Sequence, residues 1–172
     1  MTLLYILIGL IIWNQAEVYV FKRPILANMV GYILAALFMY PLYQRTYTDL
    51  HVYLTNAPLL TAKIGRITIP FLPLEAAAIT FGEVILATDK YCYNSCIDLV
   101  LKHEFVHVDQ YRRLGSLRFF ALYLWYYLSY IVTHSLVVCK KTTGVWNCIK
   151  MLNTEAYENI PFEVEAREKS GY

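Results

Sequence analysis

The chain has 172 residues, which is enough for one domain with a buried core. Hydrophobic residues make up 58% and charged residues 16%, whereas soluble domains are about one quarter charged, so a lipid environment or burial in a larger assembly is indicated. The net charge is only +2 and no stripe of lysine and arginine is present, which argues against nucleic-acid binding.

Residues 1–45 are predicted to form one or more membrane segments. The opening stretch MTLLYILIGLIIW has no basic region before it and no small-residue cleavage site, so a cleaved signal peptide is not predicted. Asn14 and Glu17 make this stretch a flawed span. Residues 25–43 carry no charge, and about 20 such residues in a helix cross a hydrocarbon core of about 30 Å. They are the best predicted span, with a buried core helix as the alternative.

Residues 46–172 are predicted to form one further domain. Two β-rich pieces, Arg66–Ile69 and Ala78–Ala87, are expected to be short strands that pair and lie over the following helix. That helix is predicted to begin near Ser95, a residue favoured at helix starts, and to stop at Gly115, a residue favoured just past helix ends.

A second apolar segment covers residues 119–139 and contains no charged residue. Its length allows another membrane span, and its many aromatic residues equally suit a helix lying in the membrane interface. The four cysteines, Cys92, Cys96, Cys139 and Cys148, match neither a zinc ribbon nor a dense disulfide framework. We expect free thiols, with one or two disulfides as the alternative.

The predicted helix contains His103-Glu104-Phe105-Val106-His107, the pattern His-Glu-x-x-His. Residues four apart lie on one helical face, so the two imidazoles can bind one metal ion. Glu104 can reach a metal-bound water without being a ligand. The surrounding apolar residues predict partial burial, and buried imidazoles need a partner such as a metal. The expected cofactor is Zn²⁺, with Glu104 as general base.

Zinc needs a third protein ligand, and several side chains are candidates. They are Glu163, Glu165, Glu155, Asp109 and His134. Asp109 is too close in sequence to His107 to turn back to the metal, so it is better placed to orient a histidine, as is Gln110 one turn beyond. His134 is an alternative ligand, although a core or interfacial histidine is the simpler interpretation. Tyr157 and Arg167 flank the region of Glu163 and are candidates for outer partners.

His103-Glu104-x-x-His107 followed by Glu163-x-Glu165-Ala166 resembles the membrane zinc peptidases of the HtpX and CAAX-protease kind. In that family the first glutamate of the second motif is the third zinc ligand, so the resemblance implies Glu163 in this role, with Glu165 as the alternative. Arg167 stands where the family has aspartate. The stretch also resembles small bacterial HExxH membrane proteins. Peptide deformylases and the extended H-E-x-x-H-x-x-G-x-x-H enzymes fit less well, because their further ligand motifs are absent.

The expected fold class is α+β: a membrane-associated, mostly helical chain with a small β-hairpin or sheet over the HExxH helix. The resemblance implies that residues 46–172 form a minimal zinc-metallopeptidase-like domain acting on a peptide substrate. The alternative function is a non-catalytic structural subunit of a membrane protein complex that retains the fold, with or without zinc. In either case we expect an integral membrane protein in contact with the lipid bilayer, in a bacterial or mitochondrial inner membrane.

Overall fold

The computed structural model describes residues 2–39, 49–54, 60–63, 78–88 and 96–171. Over these residues the chain is mostly helical with a small antiparallel sheet, as predicted. The helices are α1 (Thr2–Ala16), continued by a π-helical turn (Glu17–Phe21), α2 (Ile25–Met39), α3 (Cys96–Leu114), α4 (Ser116–Lys140), α5 (Val145–Glu158) and α6 (Pro161–Ser170). The strands are β1 (Asp49–Leu54), β2 (Leu60–Lys63), β3 (Ala78–Phe81) and β4 (Val84–Thr88).

The predicted single strand over Ala78–Ala87 is a hairpin. β3 and β4 pair antiparallel, and Gly82 and Glu83 form the turn between them. Gly82 has φ of +66°, a left-handed conformation that glycine provides at the first position of such a two-residue turn. A Cβ atom at this position would also collide with the side chain of Asn28. The prediction of one strand is therefore wrong, because the chain reverses direction at Gly82.

The hairpin lies against the helix that carries the two histidines. The described strands form one sheet in the order β2-β1-β4-β3, which leaves β3 outermost among them. α2 packs against β3 and β4, and α3 packs against β3. A small sheet over the HExxH helix is thus confirmed. The other predicted strand, Arg66–Ile69, lies outside the described residues.

Two helical stretches among the described residues are long and apolar enough to cross a membrane. They are Thr2–Phe21 and Ser116–Lys140, and only 11% and 6% of their apolar windows are buried. Signal sequences and core helices satisfy the same criteria of length and composition, but a core helix is mostly buried. The second stretch contains the predicted apolar segment 119–139. The predicted span at 25–43 corresponds to the 15-residue α2 and to positions 40–43 outside the described residues, so it stays a prediction.

The buried carboxylate of Glu17 joins the N-terminal stretch to the start of α4. It accepts hydrogen bonds from the backbone N–H groups of Leu26 and Ser116, both at 2.7 Å, and from the Ser116 hydroxyl at 3.1 Å. The indole N–H of Trp13 donates to it at 3.2 Å. Leu26 and Ser116 lie in the first turns of α2 and α4, where backbone N–H groups lack a helical partner. Glu17 therefore caps two helices at once.

Replacing Glu17 with alanine is expected to lower the free energy of unfolding by about 3 kcal/mol or more. One buried and one partly buried N–H group lose their acceptor, and a buried loss costs about 1–3 kcal/mol. Denaturant unfolding in detergent, followed by circular dichroism, measures the change. Gln15→Ala replaces an exposed neighbour and serves as the control. A loss for Glu17→Ala no larger than the control's would contradict the capping role.

The junction between α3 and α4 is sharp. α3 ends at Leu114, and Gly115 follows with φ of +77°, so the predicted stop is confirmed. The side-chain amide of Asn14 donates to the carbonyl oxygen of Leu114 at 2.9 Å and accepts from the backbone N–H of Arg118 at 3.1 Å. The predicted start at Ser95 lies outside the described residues. The N-terminal stretch, through Asn14, therefore stabilises the junction between α3, which carries the HExxH motif, and α4.

α4 and α5 pack together and are joined by a disulfide. Cys139 and Cys148, nine positions apart, are bonded with their Cα atoms 4.8 Å apart. The hydroxyl of Tyr127 on α4 donates to Asn153 on α5 at 2.6 Å. The expectation of free thiols is therefore wrong for this pair, because α5 turns back against α4. Cys92 lies outside the described residues.

Candidate metal centre

α3 carries both histidines of the motif on one face. The Nε2 atoms of His103 and His107 are 3.2 Å apart, and the two rings meet at an interplanar angle of 81°. His107 is buried and His103 is half-buried. The two imidazoles therefore converge on one point, as their one-turn spacing predicts.

α6 brings a carboxylate to the same point. Pro161 begins the helix, where its missing N–H costs nothing, and the neighbouring Phe162 is buried in the core. Glu163, in the first turn, is only 2% exposed. Its Oε2 atom lies 3.2 Å from Nε2 of His103, and its Oε1 atom lies 3.4 Å from Nε2 of His107. The fold thus joins Glu163 to two residues that precede it by more than fifty positions.

His103, His107 and Glu163, here called the metal trio, form a group that could hold a metal ion. Their ligand atoms all lie within 4.8 Å of one another. Two imidazole nitrogens and a carboxylate oxygen are ligands that several divalent transition metals accept. These are the three residues that the sequence motifs predict as ligands.

The metal trio is strongly coupled electrostatically. Burial lowers the pKa of His107, but its hydrogen bond to Glu163 and the negative charge of that carboxylate outweigh burial and raise the pKa to about 9. Burial raises the pKa of Glu163, yet its hydrogen bonds to both histidines hold that pKa below its usual range. In the metal-free chain a proton therefore stays on His107 at neutral pH. Metal binding must displace that proton, since only an unprotonated nitrogen can be a ligand.

Glu104 lies beside the metal trio and points into the protein. It is 6% exposed, and its Oε2 atom accepts a hydrogen bond of 2.6 Å from the hydroxyl of Thr80 on β3. Burial raises the pKa of Glu104, although the nearby histidines and Thr80 oppose this effect. A carboxylate held in one orientation with a raised pKa is suited to accept and return a proton. Thr80 is a site residue that the sequence motifs do not indicate.

Gln110 fixes the orientation of His107. Its side-chain N–H group donates to the backbone carbonyl of Phe162 at 3.0 Å and to the carboxylate of Glu165 at 2.9 Å. The amide oxygen therefore faces Nδ1 of His107, at 2.8 Å. An amide oxygen only accepts, so Nδ1 carries a proton, and in the neutral ring the lone pair belongs to Nε2, which faces the trio. Gln110, which the sequence predicts as a residue that orients a histidine, thus contacts His107.

Replacing Gln110 with methionine is expected to weaken metal binding by about 10–100-fold, because the protonation state and orientation of His107 lose their support. Titration of the metal-free protein with Zn²⁺ against a competing chelator measures the affinity. Asp109→Ala is the matched control, since the adjacent Asp109 side chain is 80% exposed and its nearest charged partner is Arg112, at 4.0 Å. That Asp109 orients a histidine therefore stays a prediction, and its exposed side chain lies near Arg112. Equal losses in both variants would contradict the role of Gln110.

A tyrosine hydroxyl on α4 also contacts Glu163. Tyr123 donates to Oε1 of Glu163 at 2.8 Å. Tyr157 on α5 lies near this carboxylate, and burial together with the negative charge of Glu163 raises the pKa of Tyr157. Arg167, the other predicted outer partner, donates to the backbone carbonyl of Glu158 and contributes its positive charge near Tyr157. Sequence reasoning missed Tyr123 because it is one of many aromatic residues in an apolar segment.

The alternative ligands have other contacts. Glu165 pairs with Lys169 at 2.6 Å and Arg113 at 3.0 Å, and these partners together with Gln110 lower its pKa to about 2. Glu155 accepts a hydrogen bond from Tyr130. His134 is exposed, and its ring stacks on that of Tyr130. None of the three belongs to the group of converging ligand atoms found among the described residues.

A cavity of about 530 Å³ adjoins the metal trio. It exposes Glu104, His107 and Glu163 on one side, while β3 and the first half of α4 form further walls. The residues that line it are Ala78, Ile79, Thr80, Phe81, Glu104, His107, Tyr111, Phe119, Phe120, Tyr123, Leu124, Tyr127, Tyr157 and Glu163. Its size is within the range of small-molecule and peptide side-chain pockets, about 300–1,000 Å³.

Comparisons with protein-family models, with curated proteins and with solved structures find no match to this chain. The geometry of the metal trio, of Glu104 and of the adjoining cavity therefore carries the functional inference. These features combine a candidate metal site, a buried carboxylate beside it, and space for a ligand in contact with both.

Proposed function

We propose that the chain is a membrane-bound zinc metallopeptidase-like protein. His103, His107 and Glu163 bind zinc, and Glu104 acts as general base. The observation that carries this proposal is the position of Glu104, which is buried next to the metal trio, held by Thr80, and open to the cavity. A site that only stabilises the fold needs neither a buried carboxylate outside the ligand set nor an adjoining cavity.

The ligand types of the metal trio are among those that zinc accepts. Zinc binds nitrogen and oxygen ligands at about 2.0–2.2 Å in a tetrahedron, which separates ligand atoms by about 3.3–3.6 Å. Nε2 of His103 lies 3.2 Å from Nε2 of His107 and 3.2 Å from Oε2 of Glu163, whereas His107 makes its 3.4 Å contact with the other carboxylate oxygen, Oε1. Three protein ligands leave the fourth position for water, the arrangement of catalytic rather than structural sites. When bound, zinc supplies a water of lowered pKa and polarises a carbonyl group.

The chain's own residues account for the proton transfer. Glu104 takes a proton from the attacking water and can pass it to the leaving amine. Thr80 keeps the carboxylate of Glu104 in place through its 2.6 Å hydrogen bond. Gln110 keeps Nε2 of His107 directed to the metal, and Tyr123 fixes the orientation of Glu163.

The edge of β3 supports a peptide as the substrate. Side chains alternate along a strand, so four consecutive residues, Ala78–Phe81, can all line a cavity when the strand's edge faces it. β3 is outermost among the described strands. Because a two-residue turn is closed by a hydrogen-bonded pair, the backbone groups of Ala78 and Thr80 point away from β4. An extended peptide can add to this edge beside Glu104.

Membrane insertion is part of the proposal. The stretches Thr2–Phe21 and Ser116–Lys140 are apolar and almost wholly unburied, and such surfaces are costly in water. The HExxH motif and the Glu163-x-Glu165-Ala166 motif resemble those of membrane zinc peptidases, and the convergence of their residues supports a site of that kind. Arg167, which replaces the aspartate of that pattern, contacts the chain at Glu158.

Removal and return of zinc tests the proposal. The full chain, purified in detergent and stripped by a chelator, is expected to bind one equivalent of Zn²⁺ and to regain hydrolysis of a mixed peptide library. His134→Ala is the control, because this exposed histidine lies outside the metal trio. Failure to take up one equivalent of zinc would contradict the metal site. Zinc uptake without hydrolysis would contradict the peptidase.

A structural subunit of a membrane complex is the second candidate. Exposed aromatic residues favour it, since Trp125 is 67% and Trp146 is 83% exposed, and aromatic side chains are enriched in protein interfaces. In this case zinc would only join α3 to α6. Purification with a fixed set of partner subunits at constant stoichiometry would favour the subunit, and hydrolysis by the isolated chain would favour the peptidase.

A further inference from the structure

We infer that the cavity beside the metal trio selects a bulky apolar side chain of the peptide substrate, and that Leu124 determines this selection. The inference rests on the proposed peptidase function and adds the class of substrate. It depends on three observations. The cavity walls are mainly apolar, their charged residues belong to the proposed catalytic machinery, and the edge of β3 runs along the cavity.

Two of the tyrosines that α4 contributes to the walls present their rings, because their hydroxyl groups have partners elsewhere. The hydroxyl of Tyr123 donates to Glu163 at 2.8 Å, and that of Tyr127 donates to Asn153 at 2.6 Å. Phe81, Phe119 and Phe120 add purely apolar rings to the same walls. A ligand in the cavity therefore meets mainly aromatic and aliphatic surfaces.

The walls also lack charges that could pair with a charged side chain. Among the described residues that line the cavity, the acidic and basic ones are Glu104, His107 and Glu163, all of which belong to the proposed catalytic machinery. A charged side chain placed there would lose its hydration without gaining a partner, which is unfavourable. An apolar side chain gains from burial in the same space.

β3 favours a peptide over a lipid chain as the occupant. A strand edge offers backbone N–H and C=O groups, which an extended peptide can satisfy and an acyl chain cannot. Because this edge borders both the cavity and Glu104, a peptide on β3 can place one side chain among the rings. The backbone of the same peptide then passes beside the metal trio.

Leu124 is the wall residue best suited to control selection. Phe120, Leu124 and Tyr127 follow one another at helical spacing on the face of α4 that borders the cavity. Leu124 lines the cavity and is 56% exposed, so its replacement leaves the buried core unchanged. Leu128, one turn further, is 48% exposed and does not line the cavity. The two positions form a matched pair.

Peptide binding tests the inference independently of turnover. The full chain carrying Glu104→Gln is placed in lipid nanodiscs with zinc, and labelled decapeptides that differ only at one central residue are bound by fluorescence anisotropy. Leucine or phenylalanine at that position is expected to bind about tenfold or more tighter than glutamate or lysine. Adding the uncharged change Leu124→Gln should reduce the preference for leucine over glutamate by about tenfold, while Leu128→Gln should leave it unchanged.

Several outcomes would overturn the inference. These are equal binding of apolar and charged peptides, equal effects of Leu124→Gln and Leu128→Gln, or displacement of every peptide alike by a lysophospholipid, which would make the cavity a lipid site. Failure of the peptidase proposal is distinguishable. In that case the apolar preference appears in binding, but the protein with Glu104 intact hydrolyses none of the same peptides.

Discussion

Replacing Glu104 with glutamine is expected to leave zinc bound and to lower peptide turnover by about 10²–10⁴-fold, the usual contribution of a general base. Glutamine keeps the size of the side chain and can still contact the hydroxyl of Thr80, but it cannot accept the proton of the attacking water. Zinc content by mass spectrometry and hydrolysis rates of a fluorogenic peptide, measured on the same preparation, separate binding from catalysis.

Glu168→Gln is the control for Glu104→Gln, because Glu168 is an exposed glutamate on α6. Its turnover and zinc content should equal those of the unchanged chain. If Glu104→Gln retains full turnover, Glu104 is not the base. If it loses zinc together with turnover, Glu104 contributes to the metal site itself, and the separation of ligands from base is wrong.

Replacing Glu163 with alanine is expected to weaken zinc binding by more than the roughly 10–100-fold that loss of an outer partner costs. The change removes one of the three converging ligands. It also leaves the two histidines, whose Nε2 atoms are 3.2 Å apart, without the negative charge of the neighbouring carboxylate. Zinc affinity is measured by competition with a chelator. In the metal-free variant, the pKa of His107 should also fall below about 9, because the hydrogen bond and charge of Glu163, the largest influences that raise it, are then absent.

Glu165→Ala is the matched comparison, two positions along the same helix. Glu165 contacts Gln110 rather than the trio. Its removal should therefore weaken zinc binding by no more than about 10–100-fold, the usual effect of losing a residue that only hydrogen-bonds to the ligands or their neighbours. The reverse order of affinities would make Glu165 the third ligand. Circular dichroism of both metal-free variants shows whether α6 is retained, which separates loss of a ligand from loss of the fold.

The local part of the site follows from sequence spacing, and the remainder depends on contacts between distant positions. His103 and His107 converge because four residues make about one helical turn. Gln110 reaches His107 from one turn away, so it too is predictable. Thr80 contacts Glu104 across 24 positions and Tyr123 contacts Glu163 across 40, and no local pattern marks either. Asp109 is exposed although Gln110 is buried, because adjacent helical residues face different directions.

In the fold, too, features set by local sequence are predictable, and features set by contacts between distant residues are not. The end of α3 at Gly115 is set by one residue's conformational preference, so it is predictable. The hairpin is not evident in the sequence, because only two residues, Gly82 and Glu83, interrupt the apolar run Ala78–Ala87. Such a short interruption does not distinguish two paired strands from one long strand. In the sequence Glu17 only interrupts an apolar stretch, because its partners Leu26 and Ser116 come close to it only in the folded chain, where α1, α2 and α4 meet.

Because Glu17 caps two helices, it also marks the plane at which both proposed membrane spans have one end. The first apolar stretch ends and α4 begins at that carboxylate, so both proposed spans have one end in the same plane. The cavity follows α4 from Phe119 to Tyr127, and Tyr123, which donates to Glu163, lies seven residues or about 10 Å along α4 beyond Ser116. A bilayer whose boundary follows Glu17 would thus place hydrolysis below its surface, beside the first turns of α4 and within reach of substrate segments that lie in the lipid.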